Sequence, residues 1–269
     1  MRVYLVVAAI AVAAAGLVVG VTLATRQTPV QPQAQPGSPP LPKVLPTPAA
    51  GRIRTAFRAW PHGSVDAMVQ LGREYPRDPV VQFYLGLALV WAGYENDAVA
   101  PLRAAKRVGR DTLWAVQADS LLHPQFYPGY PPFVSAFAEP ELRHRFPLLV
   151  RGIELQRRGH QQSAEQVFRQ AARQRPDDAE AQVAAAVALF DKDDLSRAFS
   201  QLGPLVKRFP HSQSVPFNLG LMLVWTGQRD PAIAQFRRTL ALGRTTALGR
   251  DANAFLSRIE QAGTAPTGK

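Results

Sequence analysis

The chain has no cysteine anywhere in its 269 residues. That absence excludes disulfide cross-links, a thiol nucleophile and thiolate metal sites, and it removes redox chemistry as a guide to the compartment. Phosphate-binding loops, HExxH zinc helices and glycine-rich dinucleotide fingerprints are missing as well. The sequence therefore gives no sign of nucleotide-dependent or metalloprotease chemistry.

Clusters of side chains that would hold a metal ion or carry out catalysis are also missing. The acidic run "DKDD" at 191–194 lacks the glycine and the glutamate that complete a calcium loop, and it is typical of a helix-capping turn. Since no nucleophile, base and orienting group can be named together, we expect no enzyme, no cofactor and no metal site. The histidines are scattered without ligand spacing: His62, His123, His144, His160 and His211.

Long hydrophobic runs are scarce, but one lies at the amino end. Residues 3–25, "VYLVVAAIAVAAAGLVVGVTLAT", are uncharged between Arg2 and Arg26. A helix of that length reaches roughly 35 Å at ~1.5 Å per residue, which is enough to cross a bilayer. We therefore predict a transmembrane anchor at residues 1–26. A cleaved signal peptide is the alternative, with "TLA" before Thr25 as the cleavage site.

The chain after this run is predicted to lie outside the cytoplasm. Arg2 and the terminal amine nearly balance Arg26 and Lys43 on the other side, and the short amino-terminal tail favours an inside amino end. Residues 27–50 are rich in proline and have no acidic side chain, so we expect an extended linker. A docking site for a proline-binding domain is the alternative for this linker.

Two shorter apolar stretches are nearly identical, "LGLALVWAG" at 85–93 and "LGLMLVWTG" at 219–227. Each is too short to span a bilayer, and a helix that is apolar nearly all round is buried on both sides. Small residues recur at intervals of 34 at Gly152, Ala186 and Gly220. The same interval relates an alanine and a bulky residue further along each copy: Ala164, Ala198 and Ala232, then Phe168, Leu202 and Phe236.

This pattern, with a proline at Pro176 and Pro210 closing two of the copies, resembles the tetratricopeptide repeat. The resemblance implies an all-α solenoid of antiparallel helix pairs, in which small residues let the two helices of a pair approach closely. An earlier copy around Gly86 and Leu102 fits with an offset phase. We predict the first repeat-like helices at 51–122, a proline-rich and aromatic connector at 123–142, three repeats with a capping helix at 143–262, and a tail at 263–269.

Local signals predict where two of the second helices begin. Ser163 with Gln166 forms a capping-box pattern, and Asp230 before Pro231 has the pattern of an N-cap followed by a first-turn proline. Turns between paired helices are predicted at "RRGHQQ", "DKDD" and "TGQRD".

The resemblance also implies a concave groove, lined by the first helix of each pair, that takes a peptide from a partner protein. We therefore predict an unidentified protein or peptide partner at an apolar surface. The linker and the aromatic stretch from Phe126 to Phe137 are two ligands from the chain itself, and the alternative is that the apolar residues are core between the two halves. The positions predicted to face the groove are Phe83, Leu87, Trp91, Phe217, Leu221 and Trp225.

Basic residues outnumber acidic ones, 31 against 20, for a net charge of +11. Those on the second helices are typical of a solvated outer face, and as an alternative function they would bind an anionic polymer or lipid headgroups. The main prediction is a membrane-tethered scaffold or adaptor that assembles an envelope complex, with nucleic acid not expected as a partner. The basic positions are Arg169, Arg173, Lys207, Arg208, Arg237 and Arg238.

Overall fold

The computed structural model describes residues 37–264. Every regular element in that range is an α-helix, and within each of two compact units helices that follow one another in the chain pack side by side, as the all-α repeat prediction requires. The predicted anchor at residues 1–26 and the first part of the predicted linker lie outside the described residues. Among the helices of 37–264, none has the length and apolar character needed to cross a bilayer.

The first of two compact units comprises the described residues up to Pro124. Its core is built from apolar residues on the facing sides of neighbouring helices, including Ile53, Met68, Leu71 and Ala88, which are all buried. The Asp78 carboxylate accepts hydrogen bonds from the amides of Val80 and Val81, so a standard N-cap begins the third helix. The helices are α1 Ala50–Arg58, α2 Ser64–Glu74, α3 Pro79–Trp91, α4 Glu95–Val108 and α5 Leu113–Leu122.

The end of the predicted linker belongs to this first unit. Leu45 and Ala49 are buried in its core, and Arg54 donates hydrogen bonds to the carbonyls of Pro42 and Lys43. Proline content predicts an extended spacer up to residue 50, but the apolar side chains of 41–49 pack on α1 and its neighbours. Helix α1 therefore begins at the last residue of the predicted linker, and residues 41–49 of that linker pack on the first unit.

The second unit comprises the described residues from Gln125 onward. Its core contains buried aromatic and aliphatic residues from every pair, among them Leu149, Phe168, Leu202, Phe236 and Leu248. The predicted connector at 123–142 contains the start of a short helix, and the aromatic stretch before it packs on this core. The helices are α6 Glu139–Arg145, α7 Pro147–Arg157, α8 Gln161–Gln174, α9 Ala179–Ala188, α10 Ser196–Arg208, α11 Ser214–Trp225, α12 Arg229–Leu242 and α13 Ala247–Thr264.

Close helix approach occurs where the 34-residue pattern predicts it. A Cβ atom at Gly220 would lie 2.8 Å from Cε1 of Phe236, and one at Gly86 would lie 2.5 Å from Cγ of Leu102. These distances are shorter than van der Waals contact, so any larger residue would push the paired helices apart. Gly152 stands against Phe168 in the same way.

The predicted helix caps at Ser163 and Asp230 are wrong by three and two residues, because the observed caps are His160 and Gln228. Helix α8 begins at Gln161, before Ser163, and α12 begins at Arg229, before Asp230. The cause lies at the end of the preceding helix, where Gly159 adopts a φ of 81° and the His160 amide bonds the Leu155 carbonyl at 2.9 Å. This glycine closure reverses the chain within two residues, so the next helix starts at once.

Candidate functional site

The first helices of the three pairs in the second unit, α7, α9 and α11, share a face that contacts residues 126–137. We call that face the inner face and residues 126–137 the aromatic segment. The segment contains no helix, and between Tyr130 and Ser135 it contains no turn either. The face that the first helices share is therefore in contact with a stretch of the chain's own non-helical backbone.

The aromatic segment runs along α11 in the opposite direction to the helix. The Tyr127 amide donates a hydrogen bond to the carbonyl of Trp225 at 3.1 Å, near the carboxyl end of α11. Seven residues later, Val134 contacts Asn218 and Ser214 in the first turns of the same helix. This antiparallel course places the backbone of the segment along the length of the inner face.

The side chain of Asn218, which is fully buried, bonds to the segment backbone twice. Its Oδ1 accepts a hydrogen bond from the Val134 amide at 2.9 Å, and its Nδ2 donates one to the Val134 carbonyl at 2.8 Å. The same Nδ2 donates to the carbonyl of Ser214 at 2.8 Å, which fixes the orientation of the amide. Both polar groups of one segment residue are thus satisfied by one side chain.

Two further side chains of the inner face accept hydrogen bonds from the segment backbone. Gln156 of α7 accepts through Oε1 from the Phe133 amide at 3.1 Å. Glu180 of α9 accepts through Oε2 from the Ala136 amide at 3.2 Å. Each first helix therefore contributes at least one polar side chain that contacts the segment backbone, and these bonds do not require a particular side chain on the segment.

Aromatic side chains of the segment pack on rings of the helices. Phe133, only 3% exposed, meets Phe168 edge to face with ring centroids 5.6 Å apart. Tyr130 meets Phe190 at 6.4 Å, also edge to face. Such pairs contribute roughly 0.5–1.5 kcal/mol beyond the area they bury. Side chains thus add a second layer of contact to the backbone hydrogen bonds.

The ends of the segment are held by rings too. Tyr127 lies against Trp225 with centroids 5.6 Å apart, and Phe137 stacks on Phe146 at 5.3 Å. The guanidinium of Arg145 sits over the Phe137 ring at 4.6 Å, a cation–π contact. The aromatic segment is therefore anchored from one end of the inner face to the other.

Glu180 is a buried carboxylate at the point where the segment leaves the face. Burial raises the pKa of Glu180 above its ordinary value, and the nearby Asp178 carboxylate raises it further. Hydrogen bonds from Ser135, Ser214 and the Ala136 amide act in the opposite direction, because they stabilise the charged form. The net rise means that the desolvation of this group outweighs its hydrogen bonds.

The predicted groove residues are all buried, and only some of them contact the aromatic segment. Trp225 lies against Tyr127, whereas Phe217 turns toward Phe236 and Phe255 in α12 and α13. Leu221 is core of the second unit. Their role in binding a partner stays a prediction.

The three predicted residues of the earlier copy are buried within the first unit. Phe83 lies 5.5 Å from the Trp114 ring of α5 and 5.2 Å from the Tyr84 ring. Leu87 and Trp91 belong to the same core. A partner-binding role for these residues likewise stays a prediction.

Sequence reasoning missed the polar residues of the inner face. Asn218 is a lone amide in an otherwise apolar helix, and that is a usable signal, but Gln82 and Gln182 are lone amides of first helices too. Those two donate to carbonyls at the end of the preceding helix, Gly72 and Ala172 respectively. The position on the helix, which the sequence does not show without the fold, separates the two roles.

The first unit contains a separate cleft of about 1060 Å³. Its floor is formed by the buried side chains of Phe57, Leu85 and Leu89. Trp60 and the exposed ring of Tyr94 line its walls. None of the predicted groove residues lines this cleft.

The basic residues predicted for the outer face are all exposed on second helices. Two of them form surface ion pairs within the second unit: Arg169 pairs with Glu165, and Arg208 pairs with Asp177 at 2.9 Å. Exposed pairs of this kind contribute little to stability, but they reduce the charge available to an anionic ligand.

Comparison with known proteins supports the repeat assignment for the second unit. A family model described as tetratricopeptide repeat matches residues 158–242, which contain α8 through α12. No curated protein and no solved structure matches the chain. Repeats of this type form extended surfaces that bind partner proteins, so the match suggests an interaction scaffold.

Proposed function

We propose that this protein is a membrane-tethered scaffold whose second unit binds a non-helical segment of a partner protein along its inner face. One observation carries the proposal: the inner face already holds such a segment. Asn218, Gln156 and Glu180 bond to its backbone, and the neighbouring rings accept its aromatic side chains. A surface with backbone-directed polar groups beside aromatic pockets is suited to peptide recognition.

The tether is part of the proposal. The uncharged run at residues 3–25 would anchor the chain in the membrane as a single-pass protein, with the repeat units outside the cytoplasm. Holding two components at one membrane raises the effective concentration of each for the other, which favours assembly of an envelope complex. The short proline-rich stretch before residue 37 would serve as the spacer.

The anchor is tested by comparing the full chain with a chain that lacks residues 1–26. We expect the full chain to remain with the membrane after an alkaline wash and the shortened chain to be released. Release of both would contradict the tether.

Partner binding is tested by photo-crosslinking in native membranes. A photoreactive residue in place of Gln156 probes the inner face, and the same residue in place of the exposed Arg173 on α8 is the matched control. We expect an adduct with another protein from position 156 and none from position 173. Adducts from position 156 that involve only the chain's own residues, both in this protein and in a variant whose aromatic segment is weakened, would contradict the proposal.

The alternative ligand, an anionic polymer or lipid headgroup on the basic outer face, has a different dependence on salt. Capture through buried hydrogen bonds and rings should change little between about 50 and 500 mM salt, whereas a polyanion complex weakens steeply over that range. Once an adduct names the partner, its dissociation constant measured across that range decides between the two. A steep fall, removed by neutralising Arg237 and Arg238, would favour the outer face.

A further inference from the structure

The structure assigns the aromatic segment a role as a built-in ligand that a partner segment displaces. This inference rests on the proposed function and names the partner's chemistry. The displacing segment is non-helical, carries two aromatic side chains three residues apart, and has a residue other than proline directly after the second aromatic. It occupies the place of Tyr130, Phe133 and Val134.

The backbone contacts explain why another chain can replace this one. The amide and the carbonyl of Val134 both bond to Asn218, and the amide of Phe133 bonds to Gln156. These groups are present in any peptide unless the residue is proline, which lacks the N–H. The inner face thus recognises a backbone course that a second protein can supply.

The rings explain which segments fit. Phe133 is enclosed against Phe168, and Tyr130 stands against Phe190, so the face offers two aromatic sites for residues i and i+3 of a ligand. Buried aromatic anchors contribute most of the binding energy at protein interfaces. A segment without the two rings would keep the backbone bonds and lose the contacts that confer specificity.

The irregular backbone of the aromatic segment makes its dissociation from the inner face feasible. Pro131 and Phe133 are its buried residues, Ala136 is exposed, and the others are partly exposed. It has no helix of its own, so its opening breaks its bonds to the inner face but requires none of the backbone hydrogen bonds within helices α7 to α12 to break. Irregular segments on the surface of a unit open at lower free energy than the helical core beneath them.

Because the aromatic segment is covalently connected to α6, it competes strongly with a free peptide for the inner face. A tethered ligand acts at an effective concentration of order mM, so a free peptide of equal intrinsic affinity binds the closed protein much more weakly than the open one. Weakening the tethered segment should therefore strengthen binding in trans. That reciprocal change is the measurable consequence of displacement.

The test uses the full chain and a labelled peptide with the sequence of residues 126–137, FYPGYPPFVSAF. Fluorescence anisotropy compares the protein with its Tyr130→Ala, Phe133→Ala double variant. We expect the double variant to bind the peptide at least about tenfold more tightly, since its own segment competes less well. Adding Asn218→Ala to the double variant should abolish binding, and a peptide with alanine at both aromatic positions should bind neither protein.

Equal peptide binding by the protein and the folded double variant would overturn the inference. It would leave the proposed function untouched, because crosslinking to a partner from position 156 is measured separately. Conversely, absence of a partner adduct in both proteins contradicts the proposed function whatever the peptide does.

A second measurement needs no substitution. Hydrogen exchange of the amides of Tyr127, Phe133, Val134 and Ala136, each bonded to the inner face, reports opening of the segment in the unaltered protein. We expect these four to exchange at least about tenfold faster than amides in the middle of α11, through an opening that leaves the helix folded. Exchange at the same rate as α11 would mean that the segment leaves only when the unit unfolds, and would overturn the inference.

Discussion

At the scale of single residues, a few close contacts determine which substitutions the chain tolerates. The glycines of the first helices stand directly against a bulky residue of the second helix, and no side-chain atom fits between them. Buried polar residues such as Gln82 and Asn218 are constrained as well, because each bonds a particular backbone group. Both kinds of constraint can be tested with a matched control elsewhere in the same unit.

Replacement of Gly86 by alanine should destabilise the first unit. The new Cβ would lie 2.5 Å from Cγ of the buried Leu102, and such overpacking costs about 1–3 kcal/mol. Alanine's better helix propensity offsets about 1 kcal/mol of this cost, so we expect the free energy of unfolding to fall by roughly 1 kcal/mol. Gly51→Ala in α1, where the Cβ meets nothing within 4 Å, should stabilise instead. Urea unfolding measures both, and a stabilising Gly86→Ala would contradict the close approach.

Asp119→Asn should destabilise the first unit more than a surface change of the same type. The Asp119 carboxylate is fully buried and forms an ion pair with Lys106, whose Nζ lies 2.6 Å from Asp119 Oδ1. Removing one member of a buried pair typically costs about 3–5 kcal/mol, and the partial exposure of Lys106 places the expected loss near the lower end. Glu74→Gln, which breaks the exposed pair with Arg52, is the control and should leave the unfolding midpoint unchanged. Equal midpoints for the two variants would refute the structural role of Asp119.

At the scale of elements, the first helices pack on the core with one face and contact the aromatic segment with another. One face of α11 turns Phe217 toward α12 and α13, and the other presents Asn218 to the aromatic segment. The same division holds for α9, where Ala186 lies among the buried core residues and Glu180 contacts the segment. The residues that bond to the segment, Asn218 and Glu180, are therefore not the small residues that pack the helix pairs together.

Glu180 should make the stability of the second unit depend on pH. Because burial raises its pKa in the folded state, the folded protein binds this proton more tightly than the unfolded chain does. The resulting stabilisation is fully present below the ordinary glutamate pKa and is lost as pH rises through the raised value. We expect the free energy of unfolding to fall over that window, and Glu180→Gln to flatten the profile.

The control for this pH profile is Glu139→Gln, which removes an exposed carboxylate paired with Arg143. It should leave the slope unchanged. Urea titrations at pH steps from about 4 to about 8 measure all three proteins, and an unchanged slope in Glu180→Gln would show that another group titrates.

At the scale of the whole molecule, the described residues form two cores. The residues of each core come from one unit, with Ile53 and Met68 in the first and Phe168 and Phe236 in the second. The net charge of +11 does not distinguish between a protein and an anionic partner, since it acts on solubility and association rate. Independent cores are the property that can be tested directly.

Residues 125–269 expressed alone should fold. This part contains the core that α7 to α13 form, together with the aromatic segment. A domain with its own hydrophobic core unfolds cooperatively by itself. We expect a helical circular-dichroism spectrum and one sharp thermal transition, and a fragment without cooperative unfolding would show that the core needs residues before 125.

Most of the fold was predictable because it depends on local periodicity. The 34-residue interval of Gly152, Ala186 and Gly220 predicts helix pairs and their close contact, since small residues at that spacing face a bulky residue of the next helix. Helix starts were less predictable. At α8 the glycine closure at Gly159 overrides the capping signal of Ser163, because the chain reverses before that residue is reached.

The sequence by itself determined the helix type, the pairing and the apolar character of the first helices, because each follows from residues close together in the chain. It also showed an aromatic stretch at 126–137 without showing where that stretch lies. Only the tertiary structure decided that Val134 meets Asn218, 84 residues further on, and that Phe133 meets Phe168. An irregular segment has no period, so its position is set by the face it packs on.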